Sequence, residues 1–205
     1  MHLGVDFDNT LVSYDELFHR CALERGLIPA DLPRTKSAVR AHLWALPDGN
    51  TPWTELQGLV YGTRMAEAAF FAGAREALVL CRERGIRVSI ISHKLEFPAR
   101  GPRVSLRKAS LEWMEAQGFF DPAAIGLARE AIFFESSREA KLARIAGERC
   151  THFVDDLPEV LDAPGFPAAV EKWFFDPTGS AKWPAGARRF GSWAEIRSHL
   201  ETMRP

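Results

Sequence analysis

The sequence predicts an α/β protein built on a doubly wound parallel sheet. After residue 70, short apolar runs alternate with stretches of helical periodicity, the order that βα units give. The helical stretches stop at Gly85, Gly118 and Gly147, each ahead of the next apolar run, where a left-handed residue ends a helix. Residues 13–70, by contrast, hold helical pieces and no convincing strand, so they read as a small helical insertion between residues 1–12 and 71–205.

Taken in order, residues 2–7 form a strand that ends in the acidic turn Asp6, Phe7, Asp8, Asn9, Thr10. The insertion contains helical stretches at 15–25, closed by Gly26, and at 36–46, stopped by Pro47. A third starts at Thr51, with Pro52 in the first turn, where its missing N–H costs nothing. Its Trp44 and Trp53, with Phe70 and Phe71 at its end, read mostly as packing residues. Residues 75–84 are helical and 86–91 a β-branched strand; 105–117 place Leu106, Ala109, Ser110 and Trp113 at helical spacing. A strand at 131–134 leads into a helix whose start, Ser136, Ser137, Arg138, Glu139, has the spacing of a capping box. Strands at 152–154 and 170–175 follow, and Ser192 to Glu195 caps a last helix.

Composition narrows the function. Of 205 residues, 26 are Lys or Arg and 27 Asp or Glu, a formal net charge of -1, which argues against a protein devoted to the nucleic-acid backbone. Cys21, Cys81 and Cys150 are far apart and odd in number, so neither a disulfide framework nor a zinc site is suggested. Asp6 and Asp8 interrupt any leader-like apolar run, and no stretch approaches the roughly 18 apolar residues of a membrane span. A cytoplasmic protein without membrane or nucleic-acid partners is the expectation. His19 and His42 lack metal-ligand spacing, and His152 reads as structural.

In an open parallel sheet, ligands bind beyond the carboxyl ends of the strands. The first strand delivers Asp6 and Asp8 there, the strand ending at Ile91 delivers Ser92, His93 and Lys94, and the strand ending at Val154 delivers Asp155 and Asp156. Lys141 sits in the second turn of the helix that follows Phe134. Four carboxylates gathered together repel one another and raise their pKa values, and a divalent cation keeps them ionised. All-oxygen ligands point to Mg²⁺.

The run DFDNTL, Ser92 after VSII, Lys141, and FVDD, in that order, resemble the four motifs of the haloacid dehalogenase (HAD) superfamily of phosphatases. The resemblance implies a Rossmann-like core with a helical cap inserted after the first motif. It implies that Asp6 is the nucleophile that forms an aspartyl-phosphate, and that Asp8 protonates the leaving alkoxide and later takes a proton from water. It implies Mg²⁺ on Asp6, the backbone carbonyl of Asp8, and Asp155, with Asp156 direct, through water, or orienting Lys141. Ser92 and Lys141, with Asn9 and Thr10, fall at the phosphate. The family's dehalogenases lack a carboxylate at the position of Asp8, so the resemblance implies a phosphatase. The substrate expected is a small phosphorylated metabolite, a sugar phosphate before a nucleotide. The alternatives are a nucleotidase, a phosphomutase or an inactive binding domain. His93 and Lys94 are candidates to face the substrate, and Arg100 and Arg103, with Lys94 in the basic stretch 94–108, to meet a second anionic group on it, although a solvated basic loop is the plainer reading.

Overall fold

The computed structural model describes residues 1–179 and 182–203. Its elements run β1 (His2–Val5), β2 (Val12–Ser13), α1 (Asp15–Glu24), α2 (Lys36–Trp44), α3 (Asn50–Gly58), β3 (Ala69–Phe70), α4 (Ala74–Glu83), β4 (Arg87–His93) and α5 (Leu106–Ala116). They continue with β5 (Ile132–Glu135), α6 (Arg138–Gly147), β6 (His152–Asp155), α7 (Pro158–Leu161), β7 (Glu171–Phe175), β8 (Arg188–Phe190) and α8 (Trp193–Thr202). The chain divides into two compact units. The first comprises Met1–Val12, Phe70–Lys94 and Gln117–Pro205, the second Ser13–Ala69 and Leu95–Ala116.

Among the described residues of the first unit, six strands form one sheet in the order β5-β4-β1-β6-β7-β8, every neighbouring pair parallel. This is the Rossmann-like α/β architecture. Strands covered on both faces are apolar along their length, and all four residues of β1 are buried. Leu142 and Ile145 of α6 pack with Ile91, Phe153, Val160, Leu161 and Phe174 in one cluster, and α4 packs against α8. Val5 stands opposite Ile90 of β4 and Val154 of β6. That register brings Asp6, Ser92 and Asp155 out at one end of the three central strands.

The second unit is helical. Phe18 stacks on Trp53 at 5.0 Å between ring centroids, and Tyr14 meets Tyr61 edge-on at 4.9 Å. A π-helical turn, Leu59–Thr63, continues α3, and Trp113 of α5 donates from Nε1 to the carbonyl of Ala68 at 2.9 Å. Here the division differs from the sequence reading, which gave residues 13–70 alone to the insertion. Residues 95–116, which resemble any helix of the alternating pattern, group with the helical unit because Leu106, Trp113 and Met114 are buried there. Phe70 and Phe71 pack in the first unit, on Phe119 and Phe175, while Trp44 is 55% exposed.

Local signals depart from expectation in several places. The strands of the β2–β3 pair and β8 have only two or three residues each, too short for periodicity to reveal. The N-cap of α6 is Ser137, which accepts from the Ala140 N–H at 3.1 Å, so Ser136 and Glu139 do not form the box. Gly85 and Gly118 take the left-handed conformation, but Gly147 stays inside α6 and Arg149 takes it instead, at φ 57°. A residue with a Cβ is strained there by roughly 1–2 kcal/mol. Arg149→Gly is therefore expected to stabilise the protein by about 0.5–1 kcal/mol, allowing for glycine's greater freedom when unfolded. The urea midpoint should rise at unchanged slope.

His2 is 6% exposed, with Nδ1 at 2.9 Å from the carbonyl of Glu148 and Nε2 at 2.9 Å from Ser89 Oγ. A carbonyl only accepts, so Nδ1 carries the proton of the neutral ring, and the Ser89 hydroxyl donates to Nε2. Burial, then the charge of Arg87, lowers its pKa below the ordinary 6.5. The unfolded chain thus binds this proton at higher pH than the folded one. The associated stability is complete above about pH 6.5 and is lost as pH falls towards the folded value. Thermal midpoints of His2→Gln and wild type should differ most at neutral pH and converge on acidification.

Candidate active site

Asp6 follows β1 directly, and its N–H donates to the Val154 carbonyl at 2.9 Å, extending the ladder by one residue. Its buried Oδ1 accepts from Ser92 Oγ at 2.9 Å and from Lys141 Nζ at 2.7 Å, while Oδ2 accepts from Thr10 Oγ1 at 3.4 Å. Lys141 also donates to Asp155 Oδ2 at 2.6 Å, and Asp155 Oδ1 takes the N–H of Leu157 at 3.0 Å. Thr10 Oγ1 lies 3.4 Å from Asp156 Oδ1 as well. Strand alternation and the position of Lys141 one turn into α6 make this convergence possible.

Asp6, Asp155 and Asp156 each offer a carboxylate oxygen within 4.8 Å of the others. Burial pushes the Asp155 carboxyl up, Lys141 pulls it down, and the charge of Asp6 pushes it up again; the balance is upward. For Lys141, burial works against the charge, but Asp155 and Asp6 outweigh it and hold the ammonium above its ordinary value. Asp8 turns elsewhere. Lys94 Nζ sits 3.0 Å from its Oδ1 and 2.9 Å from its Oδ2, so the Asp8 carboxylate is not part of the three-carboxylate group.

Among the described residues, Lys94 thus meets Asp8, and Lys141 is shared by Asp6 and Asp155. A hard divalent cation with oxygen ligands fits the donor set of Asp6, Asp155 and Asp156. Asp6, Asp155 and Asp156 are the side chains able to hold it.

The remaining candidates are placed as follows. Asn9 adopts a left-handed φ of 59° and donates its N–H to Val12 O at 2.9 Å, which closes the turn after Asp8. His93 is exposed, with Nε2 at 3.2 Å from the Ser136 carbonyl. Arg100 and Arg103 belong to the second unit, both exposed, and Arg103 lies over the ring of Phe97 at 4.2 Å. Lys94, expected at the substrate, is instead buried against Asp8, because a desolvated ammonium needs a carboxylate. Sequence reasoning also missed Trp193. Its Nε1 donates to the carbonyl of Thr10 at 2.7 Å and anchors the acidic turn from the start of α8. A buried tryptophan seeks an acceptor, but nothing in the sequence names which one.

No protein-family model and no curated protein matches the sequence. The class that the sheet defines is a Rossmann-like α/β fold. Among solved structures, that fold is the one found in HAD-superfamily hydrolases. The chain is similar to a HAD family hydrolase from Deinococcus radiodurans R1, solved with phosphate and sodium bound, at 19% identity and TM-score 0.58 over 97% of this chain and 94% of that one. It is similar to a HAD-hydrolase from Bacillus subtilis bound to magnesium, at 12% identity and TM-score 0.60 over 98% of each chain. A predicted phosphoglycolate phosphatase from Haemophilus somnus is similar at 16% identity and TM-score 0.58 over 97% of each chain.

Removing the Lys141 ammonium leaves Asp6 and Asp155 buried without their shared partner. Lys141→Met is expected to cost about 3–5 kcal/mol in chelator. Lys141→Met combined with Asp155→Asn should cost less than the single change, a non-additivity that a urea-melt double-mutant cycle would read.

Proposed function

We propose that the chain is a HAD-type, Mg²⁺-dependent phosphomonoester hydrolase that acts through an aspartyl-phosphate on a small phosphorylated metabolite. The observation that carries this reading is the hold on Asp6. A serine and a buried lysine fix one carboxylate oxygen, and two further aspartates stand beside it. The carboxylate is oriented, as a nucleophile must be.

In this reading an oxygen of Asp6 attacks phosphorus in line as the bond to the leaving oxygen breaks. Asp8 gives its proton to that oxygen, so the alcohol departs neutral, and then accepts a proton from the water that cleaves the acyl phosphate. Ser92 and Lys141 meet the transferring oxygens, with the Asn9–Thr10 turn beside them. Bound Mg²⁺ supplies charge neutralisation between the anionic nucleophile and the anionic phosphoryl group, with Asp6, Asp155, Asp156 and the Asp8 carbonyl as its ligands. A phosphate ester needs the acid at position 8; carbon–halogen cleavage does not.

A sugar phosphate suits the near-neutral composition and the lack of a base-reading motif. The three free, buried cysteines suit a reducing cytoplasmic setting, and among the described residues no helix is long and apolar enough to cross a membrane.

A phosphate-release screen over a metabolite panel, with Mg²⁺ and with chelator, tests the reading. Release that needs Mg²⁺ and disappears in Asp6→Asn is expected, with Asp8→Asn lowering kcat about 10²–10⁴-fold. Transfer to a second hydroxyl without release would make it a mutase. No turnover of any ester would leave a binding domain, and wild-type rates in Asp6→Asn would end the covalent route.

A further inference from the structure

We infer that Lys94 is a positioning residue for Asp8, holding the proton-transfer carboxylate in register for a leaving group that needs protonation. The inference rests on the hydrolase reading above and adds a residue that its motifs do not assign. Three observations carry it. The ammonium reaches both Asp8 oxygens, at 3.0 and 2.9 Å, a two-point hold that fixes rotation of the carboxylate as well as its place. The Lys94 side chain is 3% exposed whereas that of Asp8 is 22% exposed, so the buried partner can serve as the anchor and the more open one can face a ligand. The anchor is itself fixed. The Lys94 N–H donates to the Glu135 carbonyl at 2.8 Å, one step beyond the β4–β5 ladder, and Nζ lies 5.4 Å from the centroid of the Phe7 ring, next to Asp8 in sequence.

Asp6 already has its own ammonium in Lys141, so the two aspartates of the turn are held by separate cations from separate elements. The division matters because the two carboxylates do different work. Asp6 must keep its electrons available for phosphorus, and Asp8 must hand over a proton at one point in space as the phosphorus–oxygen bond breaks. Without the Lys94 ammonium the Asp8 side chain gains rotamers in which the proton misses the leaving oxygen, and a misplacement of about 1 Å can cost on the order of 10²-fold in rate.

A leaving-group series separates this role from structural or phosphate-binding ones. The probes are phenyl, 4-nitrophenyl and 2,4-dinitrophenyl phosphate with Mg²⁺, read as kcat/KM, which reports the steps through departure of the phenol. Lys94→Met is expected to lose at least about tenfold more on phenyl phosphate, whose leaving group needs the proton, than on the dinitrophenyl ester, which needs none. The same change in an Asp8→Asn background should then cost almost nothing further. Lys94→Gln, of similar length and still able to donate, guards against a folding defect and should show the same steepened dependence in milder form. An equal loss across the three esters, or full additivity with Asp8→Asn, overturns the role of Lys94 while the hydrolase stands. Wild type inactive on all three esters overturns the hydrolase reading and this inference with it.

Discussion

The site depends on one electrostatic constraint: four carboxylates are brought to one end of a sheet, where Lys94 meets Asp8 and Lys141 is shared by Asp6 and Asp155. Asp6 and Asp155 are almost wholly removed from water, which makes each unbalanced charge far more costly than it would be on the surface. The raised carboxyl of Asp155 records that cost even with Lys141 in place. A protein does not bury such a cluster for stability, since a buried pair of this kind returns little against an apolar substitute. The arrangement therefore makes physical sense as a preformed site for positive charge and for groups that follow it.

The sheet explains why these residues and not others are affected. Parallel strands present the same end to the same side, and the register that sets Val5 between Ile90 and Val154 brings the residues after them out together. The turn after Asp6 must then close tightly enough to keep Thr10 within reach of both Asp6 and Asp156. Left-handed Asn9 and the Trp193 bond to the Thr10 carbonyl achieve this. Much of this was legible in the sequence. An acid directly after an apolar strand has no capping task to perform, and a lysine one turn into the next helix points back over the strand ends by helical geometry. The glycines at 85 and 118 marked the ends of real helices for the reason expected of them.

What the sequence concealed lies where side-chain direction or partner choice decides. Lys94 follows Ser92 and His93 in a basic stretch, and its composition gave no sign that its ammonium turns inward to Asp8 while Arg100 and Arg103 stay exposed. The helix α5 has the spacing of any crossover helix, and its buried Leu106, Trp113 and Met114, with Trp113 bonded to Ala68, tie it to the helical unit. The edge strand β8 is three residues with two arginines, and such a strand exists because β7 offers it a partner, not because of its own pattern. Arg149 shows the same limit in the backbone, for the chain reverses two residues after the glycine best suited to the task.

The geometry at Lys141 also accounts for the choice of ammonium over guanidinium. Lys141 touches oxygens of two different aspartates at 2.7 and 2.6 Å, a geometry that a compact charge on a flexible stem can satisfy and a planar fork cannot without displacing one of them. Lys94 meets two oxygens of a single carboxylate, where an arginine would pair equally well. One lysine therefore joins two acids and the other satisfies one. The three carboxylates grouped closely enough to share a cation are Asp6, Asp155 and Asp156, apart from the Lys94–Asp8 pair. That division separates the carboxylates grouped for a cation from the one paired with Lys94, although Asp6 and Asp8 stand only two residues apart.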